Sequence, residues 1–261
     1  MNEEVYQYPS FSPMSAAEKE NKIISFSVYG RKAFAALVSN KIMDLNFYGD
    51  PHQCFPFYTY SEDGTNRQEN ITDWALEHFR AHYGEPSIGK WDIFHYVYGL
   101  LHHPDYRTRY AANLRRELPR LPLCPGFWDF THCGSRLAEL HVGYEDQAEY
   151  KLEWEENPKR ELSFRVEKMR LSKDKTKLAY NEFLTLSGIP AECFEYKLGN
   201  RSALEWVIDQ YRVTTDERSG ITNDPNREDD ERYIVRLIGK VITVSLQTVR
   251  VVKMLPPLPP I

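Results

Sequence analysis

The first patterned stretch begins near Lys22. In KIISFSVYG the residues Ile24, Phe26 and Val28 alternate, the two-residue period of a half-buried strand. AFAALVS and IMDLNFYG have the same texture and are set off by turn residues, so a run of N-terminal strands is expected. Residues 1–21 carry neither period and read as a flexible arm or linker. Helical spacing takes over further on. Ile71, Trp74, Ala75 and Phe79 fall on one helical face, with Thr72 as N-cap and Gly84 as the glycine that ends the helix. A second helix is expected from a Ser87 cap, with a stripe of Trp91, Phe94, Val97, Tyr98 and Leu101, stopped by Pro104. Asp105 would cap a third. Its Tyr106, Tyr110, Leu114 and Leu118 recur every four residues, which puts Arg109 and Arg116 on a shared outer face.

FWDFTHCGSRLAELH suggests a short helix through Leu137, Leu140 and His141. The composition shifts at EENPKRE, residues 155–161, where a soft boundary is placed. Leu162, Phe164 and Val166 then alternate, SKDK makes a turn, and Leu178 and Tyr180 resume, so residues 162–184 read as a β-hairpin. Ser202 and Glu205 form a capping box ahead of Leu204, Val207, Ile208 and Tyr211. After a polar loop over residues 214–231, Ile234, Leu237, Ile238, Val241, Ile242 and Val249 fit a helical stripe, although their β-branching leaves a strand open. LPPLPPI reads as an extended, polyproline-like tail. The expected class is α+β and mixed: N-terminal strands followed by helices, then a β-hairpin and a helical C-terminal part. The parts run 1–21, 22–155, 156–255 and 256–261.

Composition narrows the function classes. Hydrophobic residues make up 41% and charged residues 27% of 261, the balance of a globular chain, and seventeen tyrosines and five tryptophans give a high aromatic share. No apolar run approaches the roughly twenty residues of a membrane span, and MNEEVYQYPSFSP lacks the segments of a secretory signal, so a cytoplasmic protein without a membrane partner is expected. Cys54, Cys124, Cys133 and Cys193 are scattered and suit reduced thiols. A net charge of −5 argues against indiscriminate coating of nucleic acid and leaves room for local basic patches.

Motifs of reaction chemistry fail on spacing. Residues 84–91 fit a phosphate-binding loop up to Trp91, which stands where Ser or Thr would hold magnesium. His102, His103, His132 and His141 lack the paired short gaps of a metal site. Glu195 and Lys197 match half of a nuclease core, too short a match to carry weight, and no GxSxG elbow exists.

Two basic or polar stretches remain. Over residues 165–177 the cations Arg165, Lys168, Arg170, Lys173, Lys175 and Lys177 face Glu167 and Asp174: six minus two, net +4 in thirteen residues. A two-stranded ribbon fits the major groove of duplex DNA, with lysines at its tip meeting phosphates. The same cations equally suit a solvated hairpin kept charged against edge pairing. In the polar loop, Arg218, Asn223, Asn226 and Arg227 are of the types that make bidentate base contacts, and of the types that populate ordinary turns.

DIFHYVYGLLHHPDYRTRYAANLRRELPRLP, QCFPFYTYSEDGTNRQENITDWAL, FWDFTHCGSRLAELHVGYE, LTLSGIPAECFEYKLGNRSALEWVIDQYRV and RSGITNDPN together closely resemble the C-terminal specificity region of Type ISP restriction-modification enzymes, from about residue 23 to about residue 255. In that family one polypeptide carries a nuclease, a helicase-like motor, a coupler, an adenine-N6 DNA methyltransferase and, last, a target recognition domain. The resemblance implies a non-catalytic reader of a short duplex DNA sequence in phage defence. It also implies no cofactor in this chain: S-adenosylmethionine, ATP and Mg belong to the upstream domains. Absence of Asn-Pro-Pro-Tyr and of a complete Walker motif agrees with this. The expected partners are duplex DNA and the methyltransferase and coupler domains of the same or an adjacent polypeptide. DNA contacts are expected from the basic hairpin and the polar loop, with Arg109 and Arg116 as further ones. Replacing Lys173 and Lys175 should weaken all binding, and changing Asn226 or Arg227 should alter preference. A docking module that contacts the methyltransferase or coupler through the arginine helix without reading bases is the alternative.

Overall fold

A computed structural model describes residues 20–28, 32–41, 43–44, 47–49, 51–61 and 63–260. Its contacts divide the chain into two compact units, one running to Val142 and resuming at Val251, the other comprising Gly143–Arg250. The class is the expected α+β, strands leading into helices, then strands again and a C-terminal helix. The arm over residues 1–21 lies outside the described residues except for Glu20 and Asn21.

In the first unit β1 (Ile23–Ser27) is the centre of an antiparallel sheet, flanked by β2 (Ala36–Ser39) and β3 (His52–Pro56). Alternation predicts a half-buried β1, yet all five residues are buried. The polar face is covered by its own neighbours: Ser25 Oγ and Tyr48 Oη share a hydrogen bond of 2.8 Å, and Ala35 N donates to Ser27 Oγ at 3.0 Å. The strand expected in IMDLNFYG is not formed at its described positions, and Ile42, Leu45 and Asn46 lie outside them. A short ribbon of β4 (Tyr58–Thr59) and β5 (Gln68–Glu69) leads into the helices.

Helix α1 (Asp73–Tyr83) has the caps its sequence announces: Thr72 accepts from Ala75 N, and Gly84 adopts φ +66°. Trp74 does not join the apolar face. It is 76% exposed and stacks on His78. Helix α2 (Lys90–His102) is capped by Gly89, not Ser87, with Asp92 closing on the Gly89 N–H at 2.8 Å. Burial extends beyond the predicted stripe to Ile93, Tyr96, Gly99 and Leu100, because α5 (Phe127–Val142) crosses it closely. Gly99 and Gly134 make that crossing possible; a Cβ on Gly134 would lie 1.8 Å from the His95 carbonyl oxygen. The short helix expected around Leu137 is thus sixteen residues long.

The third expected helix breaks. It starts from His103, whose imidazole accepts from Asp105 N, and divides at Tyr110 (φ −105°, ψ 18°) into α3 (Pro104–Arg109) and α4 (Ala111–Leu114). Leu118 is outside any helix and 47% exposed. The chain from there to Gly126 is irregular and is pinned by buried tyrosines: Tyr96 Oη donates to Pro122 O (2.6 Å) and accepts from Cys124 N (2.7 Å), and Tyr106 Oη donates to Arg120 O (2.7 Å). Tyr98 Oη accepts from Val38 N at 3.0 Å and meets His141 Nδ1, tying sheet to helices. This is where much of the tyrosine content goes: Tyr96, Tyr98 and Tyr106 put large apolar bodies in the core with each of their hydroxyls partnered. The proline-rich tail is held down by His103 Nε2 to Pro256 O (3.0 Å) and by Arg109.

The second unit is built on a four-stranded antiparallel sheet of order β6-β9-β8-β7: β6 (Glu153–Glu156), β9 (Leu184–Ser187), β8 (Lys177–Ala179) and β7 (Arg170–Leu171). The predicted hairpin is real at its turn and absent in its first arm. Residues 162–168 form no strand, although Phe164 and Val166 are buried as their alternation requires. Their main chain is bonded by side chains: Tyr180 Oη donates to Phe164 O, and Asn181 Nδ2 to Ser163 O and Arg165 O. A tight pair, β10 (Lys197–Leu198) and β11 (Arg201–Ser202), turns at Gly199 with φ +71° and feeds α6 (Ala203–Gln210). The Ser202–Glu205 capping box is present. Ribbon β12 (Thr214–Thr215) and β13 (Thr222–Asn223) stands in the polar loop. Helix α7 (Tyr233–Lys253) settles the open choice in favour of helix, its Ile234, Leu237, Ile238, Val241 and Ile242 packing into the core of this unit.

Candidate nucleic-acid interface

Ten of the twelve residues expected at DNA fall in the second unit; Arg109 and Arg116 belong to the first. The hairpin turn over residues 172–176 is closed by its own side-chain hydrogen bonds. Asp174 Oδ1 accepts from Ser172 Oγ (2.6 Å) and Thr176 N (3.2 Å), and Lys175 adopts φ +60°. Those hydroxyl and amide donors hold the Asp174 carboxyl below its ordinary range.

The six cations of residues 165–177 divide into two sets. Arg165 bonds Asp224 (2.7 Å) and Glu167 (2.9 Å), Lys175 bonds Glu205 (2.7 Å) and lies over the Phe194 ring, and Lys177 bonds Glu155 (2.7 Å). Burial opposes ionisation of Glu205, but Lys175 and Ser202 outweigh it and keep its pKa below the usual value. Lys168, Arg170 and Lys173 are exposed and take part in none of the ion pairs among the described residues. They are the cations with charge left for an incoming anion.

The polar loop is tied back to the same region. Asn226 Oδ1 accepts from Val166 N at 2.8 Å, while its Nδ2 donates to Val166 O at 2.8 Å and to Asp224 Oδ1 at 2.7 Å. The amide of Asn226 and then Arg165 pull the Asp224 pKa down to about 2. Asn226 therefore brackets main chain with the donors and acceptors that were expected to read a base. The Arg227 guanidinium lies 3.3 Å from the centre of the Tyr233 ring. Arg218 and Asn223 are exposed, Arg218 in a loop organised by Asp216 Oδ1, which accepts from Arg218 N and Ser219 N.

In the first unit the expected arginine face does not assemble, because the helix breaks at Tyr110. Arg109 Nη1 donates to Pro259 O at 2.6 Å, and Arg107 Nε donates to Leu101 O at 2.6 Å with its guanidinium over Phe34. Arg120 pairs with Glu117, and Arg116 is exposed in a turn. Much of that basic helix works inside its own unit, which is how it sits on an acidic chain.

One feature of the second unit escaped sequence reading. An open cleft of about 290 Å³ lies between residues 168–171 and the start and outer face of α6, lined among others by Lys168, Met169, Arg201, Asp209 and Arg212. These positions are spread over a loop, a turn and a helix, and share no spacing that would single them out.

Fold and site define a two-unit α+β chain that presents an exposed, partly unpaired cationic hairpin, and among the described residues no group of His, Cys, Asp or Glu is placed to hold a metal ion. The Type ISP C-terminal specificity domain matches residues 1–237, and the chain belongs to that family. Three solved structures are similar to it. A nuclease-deletion mutant of the Type ISP restriction-modification enzyme LlaGI, in complex with a DNA substrate mimic, is 37% identical with a TM-score of 0.78 over 92% of this chain and 21% of that one. The ATP-dependent Type ISP enzyme LlaBIII, bound to DNA, is 33% identical with a TM-score of 0.82 over 92% of this chain and 16% of that one. DrdV, in a DNA complex, is 37% identical with a TM-score of 0.81 over 90% of this chain and 25% of that one. The chain thus spans a quarter or less of the length of those structures. No curated protein matches.

Proposed function

We propose that this chain is a DNA target recognition module, which reads one short duplex sequence and positions it for a methyltransferase and motor carried elsewhere. It does no chemistry itself, and S-adenosylmethionine, ATP and Mg act outside it. The observation that carries the reading is membership of the specificity-domain family, whose solved relatives are DNA complexes. Arg170 and Lys173 on the hairpin, with Lys168 just before it, add physical support: exposed cations there suit phosphates, and fix the register at which base contacts discriminate. A few well-placed cations suffice for that, so a net charge of −5 is no obstacle. Arg218 and Asn223 are the base-reading candidates in the polar loop, since Asn226 and Arg227 are engaged within the unit.

The test is a selection: incubate the chain with a random duplex library at moderate salt and sequence what it retains. Enrichment of one short motif is expected. No enrichment, with or without the methyltransferase neighbour attached, would end the reading.

A further inference from the structure

We infer that the cleft beside α6 is a seat for one phosphodiester of the DNA backbone, gripped by Arg201 and Arg212 with Lys168 at the rim. This rests on the DNA-reading function above and adds to it a phosphate site away from the hairpin tip.

The argument starts from how the two guanidiniums are held. Arg201 follows the Gly199 turn, and its guanidinium lies 5.6 Å from the centre of the Trp206 ring. The indole is in turn fixed by a hydrogen bond from its Nε1 to Leu198 O at 2.9 Å. Asp209 then takes both arginines on one carboxylate: Oδ2 accepts from Arg201 Nη1 at 2.7 Å, and Oδ1 lies 3.2 Å from Arg212 Nη1. Both guanidiniums are thereby partnered before any ligand arrives, which lowers the rotamer entropy that binding would otherwise lose. Each guanidinium has five N–H donors, and its contact to Asp209 leaves others for the cleft they line.

Charge selects the ligand class. The lining holds Lys168, Arg201 and Arg212 against Glu205 and Asp209, three minus two, or +1. A phosphodiester carries one negative charge and fits that balance. A nucleoside triphosphate would place several charges against two carboxylates. Met169, Leu171 and Ile208 supply an apolar wall, suited to a deoxyribose beside the phosphate.

The experiment compares the chain with an Arg201→Gln/Arg212→Gln variant on the selected duplex and on random duplex, measuring affinity across a salt series by fluorescence anisotropy. Losing one neutralised phosphate should flatten the slope of log K against log salt by about 1, and should lower affinity for both duplexes by about tenfold at low salt. The ratio between the two duplexes should stay as it was. Arg212→Gln alone, a surface change just beyond α6, should lower both by about threefold, which keeps the test decisive if the double variant folds poorly. An unchanged slope overturns the phosphate seat while leaving sequence reading intact. A changed ratio also overturns it, because the cleft would then be touching bases. If the unaltered chain binds no duplex, the comparison is repeated with the methyltransferase neighbour attached, and failure there as well overturns both the seat and the function.

Discussion

Asn226→Ala separates a bracket from a base reader. In the fold its carboxamide makes three hydrogen bonds, two of them to the main chain of Val166, a residue with no exposed surface. Truncation leaves the N–H and C=O of Val166 without these partners, and an orphaned buried polar group costs about 1–3 kcal/mol. Asn226 is itself half-buried, so water can reach part of the gap, which places each loss toward the lower end. The bond to Asp224 is at the surface and adds little. The sum is about 2–3 kcal/mol, which at a urea slope of about 2 kcal/mol/M lowers the unfolding midpoint by about 1–1.5 M. The assay is urea denaturation followed by fluorescence, paired with duplex selection at a temperature where the variant is folded. The base preference should not move. A midpoint shift under about 0.3 M together with an altered preferred motif would refute the reasoning and return Asn226 to the bases.

Gly134→Ala should destabilise the first unit by about 3 kcal/mol or more in the same assay, because its Cβ meets backbone at 1.8 Å and neither helix has a side chain that can swing aside; a loss below about 1 kcal/mol would mean that the α2–α5 crossing is looser than described. His141 and His102 are fully buried: burial first, then Arg107, depresses both, His141 to about 3 and His102 well below the usual imidazole range. The unfolded chain then binds protons that the fold refuses. Stability is full above the unfolded pKa of about 6.5 and falls with pH below it, by about 1.4 kcal/mol per pH unit per imidazole. A urea midpoint that is the same at pH 7 and pH 5 would contradict this. Replacing Lys168, Arg170 and Lys173 together with Gln should weaken every duplex alike and flatten the salt slope by up to about 3, whereas Lys175→Gln, whose charge is matched by Glu205, should do less. Equal effects from the two would show that the ion pairs do not set which cations meet DNA.

What was legible in the chain lies within a few residues of itself. Thr72 with Ala75, Ser202 with Glu205, Gly84 after α1 and the turn at residues 172–176 are all decided by contacts inside one turn, so residue type and spacing suffice, whereas the stripe of α7 left a strand open until the fold settled it as helix. The long phrases shared with the Type ISP specificity region likewise carry the family without any coordinates. Only the tertiary structure decided which charges remain available, because the partners are remote: Arg165 meets Asp224 across 59 positions, Lys175 meets Glu205 across 30, and Lys177 meets Glu155 across 22. The same holds for Asn226 and Val166, 60 positions apart, and for Gly99 and Gly134, whose meaning appears only where α2 and α5 touch. Local sequence can make a residue cationic or amide-bearing. Whether that group faces an incoming anion or is already satisfied depends on which distant segment folding brings beside it.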